Sequence, residues 1–223
     1  MKADIVIAGG GLGGVAAALA ALRNGLRVIM TEETDWIGGQ LSQQGVPPDE
    51  HQWIETHGAP ASYRTYRNKV RNYYKQYYPL TDTAKNRPNL NPGDGAVSRL
   101  CHEPRVAVLV LTEMLSPYLI SGQMKLLLEH KVVSAKTIRH NVKNVTIIDL
   151  KTKTKEEIKA DFFVDATELG DLLPMTPLVG ASKPATIRKH VVLPQPDGPT
   201  IATNSLSATV KLVSPTARNS LPP

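Results

Sequence analysis

The sequence contains one cysteine, Cys101, and no apolar run approaching the 18 or more residues that a membrane-spanning helix needs. A lone cysteine excludes an internal disulfide framework and any multi-cysteine zinc or iron–sulfur site. It fits a reducing compartment, and the expectation is a soluble, cytoplasmic chain with no membrane span and no metal centre. A targeting segment is not expected either. The alanine-rich stretch from Val15 to Leu22 follows five glycines and only one basic residue, Lys2, which suits a helix of the fold better than a signal-peptide core.

A surplus of basic charge is present but concentrated. The formal charge is +6 and the pI is near 9.4. From Pro174 onward five basic residues face one acid, so +4 of the +6 belongs to the last 50 residues, and residues 1–173 are nearly balanced. Nine of the 17 prolines also fall there, among scattered Ser and Thr. The expected organisation is a domain over residues 1–173, with a helical and loop insertion at about 40–103, and a basic tail over 174–223 with little packed structure. Charge placed in a tail argues against a nucleic-acid-binding surface on the domain.

Asp4 to Ala8 is a continuous apolar run ending in glycines, the pattern of a strand in a parallel sheet covered on both faces. Val15 to Asn24 reads as a helix stopped by Gly25, and Leu26 to Thr31 as a second buried strand. Strand, glycine turn, helix and strand make a βαβ unit. Ser62 to Tyr78 reads as a helix, because Tyr63, Tyr66, Val70, Tyr73 or Tyr74, and Tyr77 recur at spacings of three and four. The spacing predicts that the tyrosines pack while Arg64, Arg67, Lys69, Arg71 and Lys75 stay solvated. Glu103-Pro104 opens a further helix to about Leu119. Lys125–Leu128, Lys131–Ile138 and Asn144–Leu150 read as three β segments of a small antiparallel insertion. Lys151 to Lys159 is a charged stretch, and Asp161 to Ala166 an apolar strand returning to the parallel sheet. The fold class expected is α/β: a Rossmann-like parallel sheet with a small antiparallel β insertion.

Between the first strand and helix, Gly9, Gly11 and Gly14 form the pattern G-x-G-x-x-G within Gly9-Gly10-Gly11-Leu12-Gly13-Gly14. Gly9 permits the tight turn, Gly11 lets a pyrophosphate approach the backbone, and Gly14 lets helix and strand pack closely. Free N–H groups and the positive end of the helix dipole then face the diphosphate. Glu32 ends the second strand 18 positions after Gly14, where an acid accepts hydrogen bonds from the adenosine ribose and disfavours the phosphate of NADP. Glu33 is the competing acid.

Ile37-Gly38-Gly39-Gln40 follows this unit, and Val164-Asp165-Ala166-Thr167-Glu168-Leu169-Gly170-Asp171 ends the returning strand. In these segments the chain resembles the FAD-dependent oxidoreductases of the glutathione-reductase-like fold. The resemblance covers roughly residues 3–176, including Asn91-Pro92-Gly93 and Val97 to Pro104. It implies FAD as cofactor, hydride or electron transfer through the flavin, a small-molecule substrate and an unassigned electron acceptor. It carries cofactor binding over to Gly9, Gly11, Gly13, Gly14, Glu32, Gly38, Gly39, Gln40, Ala166 and Thr167, and the adenine edge to the backbone at Val133. Glu168 departs from the glycine common after the Ala-Thr pair. The family pattern is expected to continue beyond Pro174 into a substrate domain, so the chain reads as the N-terminal portion of a flavoenzyme, with the tail as unrelated sequence following a truncation. An inactive remnant, or a non-redox enzyme holding an NAD-derived adenylated ligand, are the alternatives.

No catalytic residue is named by the sequence. Cys101 beside His102 suggests an activated thiol, but adjacent side chains usually diverge and a flavin dithiol needs a second cysteine. His51, His57 and His102 lie between the sheet strands and titrate near neutrality, without anything that brings them to a flavin ring.

Overall fold

The computed structural model describes residues 1–138 and 141–176. Four strands form a parallel sheet in the order β3-β2-β1-β7, where β1 is Ile5–Ala8, β2 Val28–Glu32, β3 Met124–Leu128 and β7 Phe162–Asp165. All residues of β1 and β2 are buried, as two-sided coverage requires. β1 pairs with β2 through Ile5 and Val28, and with β7 through Ile5 and Phe162. Helix α1, Leu12–Arg23, makes the crossover. It begins three residues before the expected start, at the glycines themselves, and Gly25 follows its end at φ 79°.

Helix α2 spans Ala61–Tyr77, a short helix α3 spans Asp82–Lys85, and α4 spans Pro104–Ile120 with Pro104 in its first turn. One face of the parallel sheet is closed by α1, α2 and α4, where Ile7, Val15, Leu22, Met30, Tyr66, Val70, Leu111 and Leu115 are buried together. A separate core on the opposite face joins Val6, Ile29 and Phe163 to Val132, Val145, Ile147 and Ile158.

That second core belongs to an antiparallel sheet of β4, His130–Ile138, β5, Asn141–Asp149, and β6, Lys155–Lys159. The assignment of strands differs from the expectation in two places. Lys125–Leu128 is not part of the insertion: α4 delivers it alongside β2, with Val28 opposite Met124. Its place in the insertion is taken by Lys155–Lys159 from the charged stretch, of which Ile158 alone is buried. The expected tail from 174 onward lies outside the described residues after Thr176.

Candidate functional site

The turn from β1 to α1 is shaped by steric exclusion. Gly9 has φ 98°, and a Cβ there would lie 2.4 Å from the carbonyl oxygen of Ala166. A Cβ on Gly14 would lie 2.0 Å from the Gly9 carbonyl oxygen, so helix and turn touch backbone to backbone. Gly11 is different. Its backbone is one any residue adopts, at φ −61° and ψ −179°, and a Cβ there would meet one atom within 4 Å, Glu168 Oε1 at 3.5 Å. Neither conformation nor packing requires a glycine at this position; its bareness keeps a space open before the N-terminus of α1. That terminus has no side-chain cap and no acid in its first turn, which includes Gly13.

The double glycine closes onto this turn. The Gly38 N–H donates to the Gly10 carbonyl at 2.9 Å, and Gly38 bridges Gly11 in parallel fashion. Gly39, at φ 54°, starts a single 3₁₀ turn that carries Gln40, half-buried. The third wall is the end of β7, where the Ala166 N–H donates to the Ala8 carbonyl at 2.8 Å. Asp165 organises the turn beyond it. Its Oδ1 accepts from the Thr167 N–H and hydroxyl, and its Oδ2 from the N–H groups of Leu172 and Leu173. The Thr167 hydroxyl also accepts from the Asp171 N–H at 2.7 Å, so this side chain is spent within the turn.

Glu32 is buried beside the turn. Its Oε2 accepts from the Gly10 N–H at 2.8 Å and its Oε1 from the Thr34 N–H at 2.9 Å. The Thr34 hydroxyl is shared, 2.8 Å from both Oε1 and the Trp36 carbonyl. A carboxylate offers about four acceptor positions, so these bonds orient Glu32 without exhausting it. Glu33 is committed elsewhere: it pairs with Lys131 Nζ at 2.9 Å, and Lys131 also reaches Asp171 at 3.3 Å.

These elements enclose a cleft of about 270 Å³, with Gly9, Gly11, Glu32, Lys131, Val132, Ala166, Thr167 and Glu168 in its walls. Val133 stands at a bulge of β4, between Val132 and Ser134, and the residues of that strand lining the cleft are His130, Lys131 and Val132. His130 and Lys131 were not marked by the sequence, since neither belongs to a motif. Gly13, Gly14, Gly38, Gly39 and Gln40 lie in the start of α1 and the 3₁₀ turn and are not among the residues lining the cleft.

The remaining candidates lie in the helical insertion. A second cavity, about 410 Å³, is lined by Tyr74, Tyr78, Cys101, His102 and Glu103 among prolines and glycines. Cys101 is buried, with its thiol 3.6 Å from the Ser98 carbonyl, which matches a packed rather than a reactive thiol. His102 has a defined tautomer. Its Nδ1 lies 3.1 Å from the Glu103 carbonyl, which can only accept, so Nδ1 carries the proton and Nε2 accepts from the Tyr66 hydroxyl at 2.9 Å. Burial pushes the His102 imidazole below its ordinary range and so disfavours the charged ring. His51 and His57 are exposed and cluster with Trp53, away from the cleft-lining set.

Helix α2 corrects the expectation of a solvated basic face. Tyr66 and Tyr74 are buried, but so are Arg67 and Arg71. Arg67 is ion-paired with Glu50 and Glu55, and Arg71 binds Glu55 at 2.6 Å and the Leu90 carbonyl at 2.9 Å. The Tyr63 hydroxyl donates to Glu50 at 2.7 Å. Burial opposes ionisation of Glu55, but hydrogen bonds and charge from Arg71 and Arg67 outweigh it and hold the carboxyl below 4.5.

No helix among the described residues is long and apolar enough to cross a membrane. No curated protein sequence matches the chain. Solved structures with a similar course include Mycobacterium smegmatis Sdh1 in complex with UQ1, at 14% identity and TM-score 0.47, covering 75% of this chain and 34% of that one. Bacillus halodurans glycerol-3-phosphate dehydrogenase complexed with FAD has 16% identity and TM-score 0.47, covering 74% and 34%. Thermovibrio ammonificans THI4 has 14% identity and TM-score 0.44, covering 78% and 61%. The chain therefore spans about a third of the length of the first two. The FAD dependent oxidoreductase family matches residues 4–181, most of the sequence, and the chain accordingly belongs to that family, whose cofactor is FAD.

Proposed function

We propose that residues 1–173 form the FAD-binding domain of an oxidoreductase that transfers a hydride or electron pair between a small-molecule substrate and a separate acceptor. One observation carries this reading: three backbone segments far apart in sequence are hydrogen-bonded into one seat around an uncapped helix N-terminus, with a buried carboxylate beside it. The residues fit the ADP portion of FAD. Gly11 leaves room for a diphosphate, the N–H groups of Leu12, Gly13 and Gly14 are the donors that would hold it, and Glu32 has acceptor capacity left for ribose hydroxyls. Gly9 and Gly14 fix the turn, and Gly38, Gly39 and Gln40 extend the seat along the cofactor. The adenine would lie against the β4 backbone at Val132 and Val133, with Ala166 and Thr167 as the facing wall. When bound, the flavin supplies two-electron redox chemistry at its ring. The contribution of the residues described is to grip and orient the cofactor and to keep water from its diphosphate.

The test is ligand competition on the purified full chain. FAD titration should quench flavin fluorescence, ADP should compete, and FMN, which lacks the AMP portion and so has one phosphate and no adenosine, should bind at least about 100-fold more weakly if two or more charged hydrogen bonds are lost. FMN binding as tightly as FAD, or FAD binding indifferent to ADP, would overturn the assignment.

A further inference from the structure

Glu168 directly follows Ala166-Thr167 and is one of the residues lining the cleft just described. Its Oε1 is the atom nearest the open faces of two glycines at once. It would lie 3.5 Å from a Cβ on Gly11 and 3.2 Å from a Cβ on Gly39. Those glycines belong to different segments, the α1 turn and the double glycine, which meet here, since a Cβ on Gly39 would also lie 3.2 Å from Gly11 Cα; the open side of their junction is where a diphosphate would lie. A carboxylate therefore projects over the seat of an anion.

Three features bear on this placement. Glu168 forms no hydrogen bond and no ion pair among the described residues, the α1 N–H groups included, so nothing among them opposes its displacement. The N-terminus of α1 is a positive dipole end with no side-chain cap and no acid of its own in the first turn, which favours a negative group in front of it. The one lysine in the cleft walls, Lys131, is already shared between Glu33 and Asp171, so the walls supply no free cation to offset Glu168. Glu32, Glu33, Glu168 and Asp171 together give the cleft a surplus of negative charge.

We propose that Glu168 is an internal anion that competes with the diphosphate of the cofactor for the α1 N-terminus, so that cofactor binding requires its displacement. This rests on the reading of the cleft as the ADP seat. Glu168 is then an autoinhibitory contact: it lowers affinity for diphosphate-bearing ligands while leaving affinity for the nucleoside portion unchanged. Ligand entry moves the carboxylate outward, and ligand loss lets it return to the dipole end.

The experiment compares wild type, Glu168→Gln and Glu168→Gly in equilibrium titrations with FAD, ADP and adenosine at one fixed salt concentration. Glutamine keeps the shape and removes the charge. One screened charge pair changes affinity up to roughly fivefold, so a ligand with two phosphate charges should bind Glu168→Gln roughly 5- to 25-fold more tightly. Adenosine should bind all three proteins equally. Glu168→Gly should match or exceed the glutamine variant. The proposal is overturned if ADP binds wild type and Glu168→Gln with equal affinity, or if adenosine gains as much as ADP. If neither FAD nor ADP binds any of the three proteins, the ADP-seat reading itself fails and the proposal falls with it, a result distinct from equal binding.

Discussion

Gly11→Ala and Gly14→Ala add the same methyl group to two positions of one turn, and the structure assigns them opposite consequences. At Gly14 the methyl would sit 2.0 Å from the Gly9 carbonyl oxygen, a backbone atom that cannot rotate away. Helix and turn must separate, and overpacking of this kind reaches about 3 kcal/mol. For a domain of this size that lowers Tm by roughly 6–12 °C. At Gly11 the backbone already suits alanine, and the nearest atom, at 3.5 Å, is the tip of a flexible side chain. Folding loses nothing, and reduced freedom of the unfolded chain should raise Tm by roughly 1–4 °C. Ligand binding responds the other way. A methyl on the open face of Gly11 holds a diphosphate off the α1 N–H groups, and losing one hydrogen bond to a charged group costs about 1.5–3 kcal/mol, or roughly 10- to 150-fold in affinity. Circular dichroism melts and FAD titration measure both quantities on the same samples. A destabilised Gly11→Ala, or one that binds FAD like wild type, would refute the reasoning, as would a Gly14→Ala that melts within 2 °C of wild type.

Two further outcomes are expected. Arg67→Met strips Glu50 and Glu55 of a buried cation, and breaking such a pair costs about 3–5 kcal/mol; thermal unfolding should show Tm lower by roughly 6–20 °C, and a change below 2 °C would contradict the buried pairing. Hydrogen bonds from Arg27 hold the Asp4 carboxyl down from 3.8 to about 2. Its folded pKa is depressed, so its contribution is complete above pH 4 and is lost as pH falls toward 2. The stability difference between wild type and Asp4→Asn should be constant at neutral pH and shrink below pH 4; a difference that persists unchanged at pH 2.5 would count against it.

The parts legible in the sequence are those where local chemistry and tertiary role coincide. Ile5–Ala8 and the first three residues of Val28–Glu32 are apolar on both faces because helices and a second sheet cover them, and glycine must follow where Ala166 leaves no room for a side chain. The Pro104 start of α4 needed only a local rule. Where one residue alone meets the core, the pattern fails. In β6 only Ile158 is buried, and Lys155, Glu156, Glu157 and Lys159 read only as part of a charged stretch although the segment pairs with β5. Met124–Leu128 resembles the strands after it, and its parallel partner is fixed by where α4 ends rather than by its composition. On α2 the tyrosine spacing marks the buried face, but Arg67 and Arg71 are adjacent to Tyr66 and Val70 and are carried into the same interface. Their burial depends on Glu50 and Glu55, which lie in an aperiodic segment with no signal of pairing. The cleft follows the same rule: its turn is visible because Gly9 and Gly14 answer steric demands and Gly11 completes their pattern, whereas His130, Lys131 and Asp165 acquire their places only from the β4 and β7 geometry.

The pairing of Ile5 with Phe162 places the two halves of the cleft wall 157 residues apart in the chain. At about 5–20 residues per second of synthesis, the glycine turn waits roughly 8 to 30 s before β7 emerges to complete it. During that interval β1 has β2 beside it on one edge and an unpaired edge on the other. The cleft is thus a late product of folding, assembled only after the antiparallel insertion has been made, and any ligand present during translation meets an incomplete wall until β7 docks.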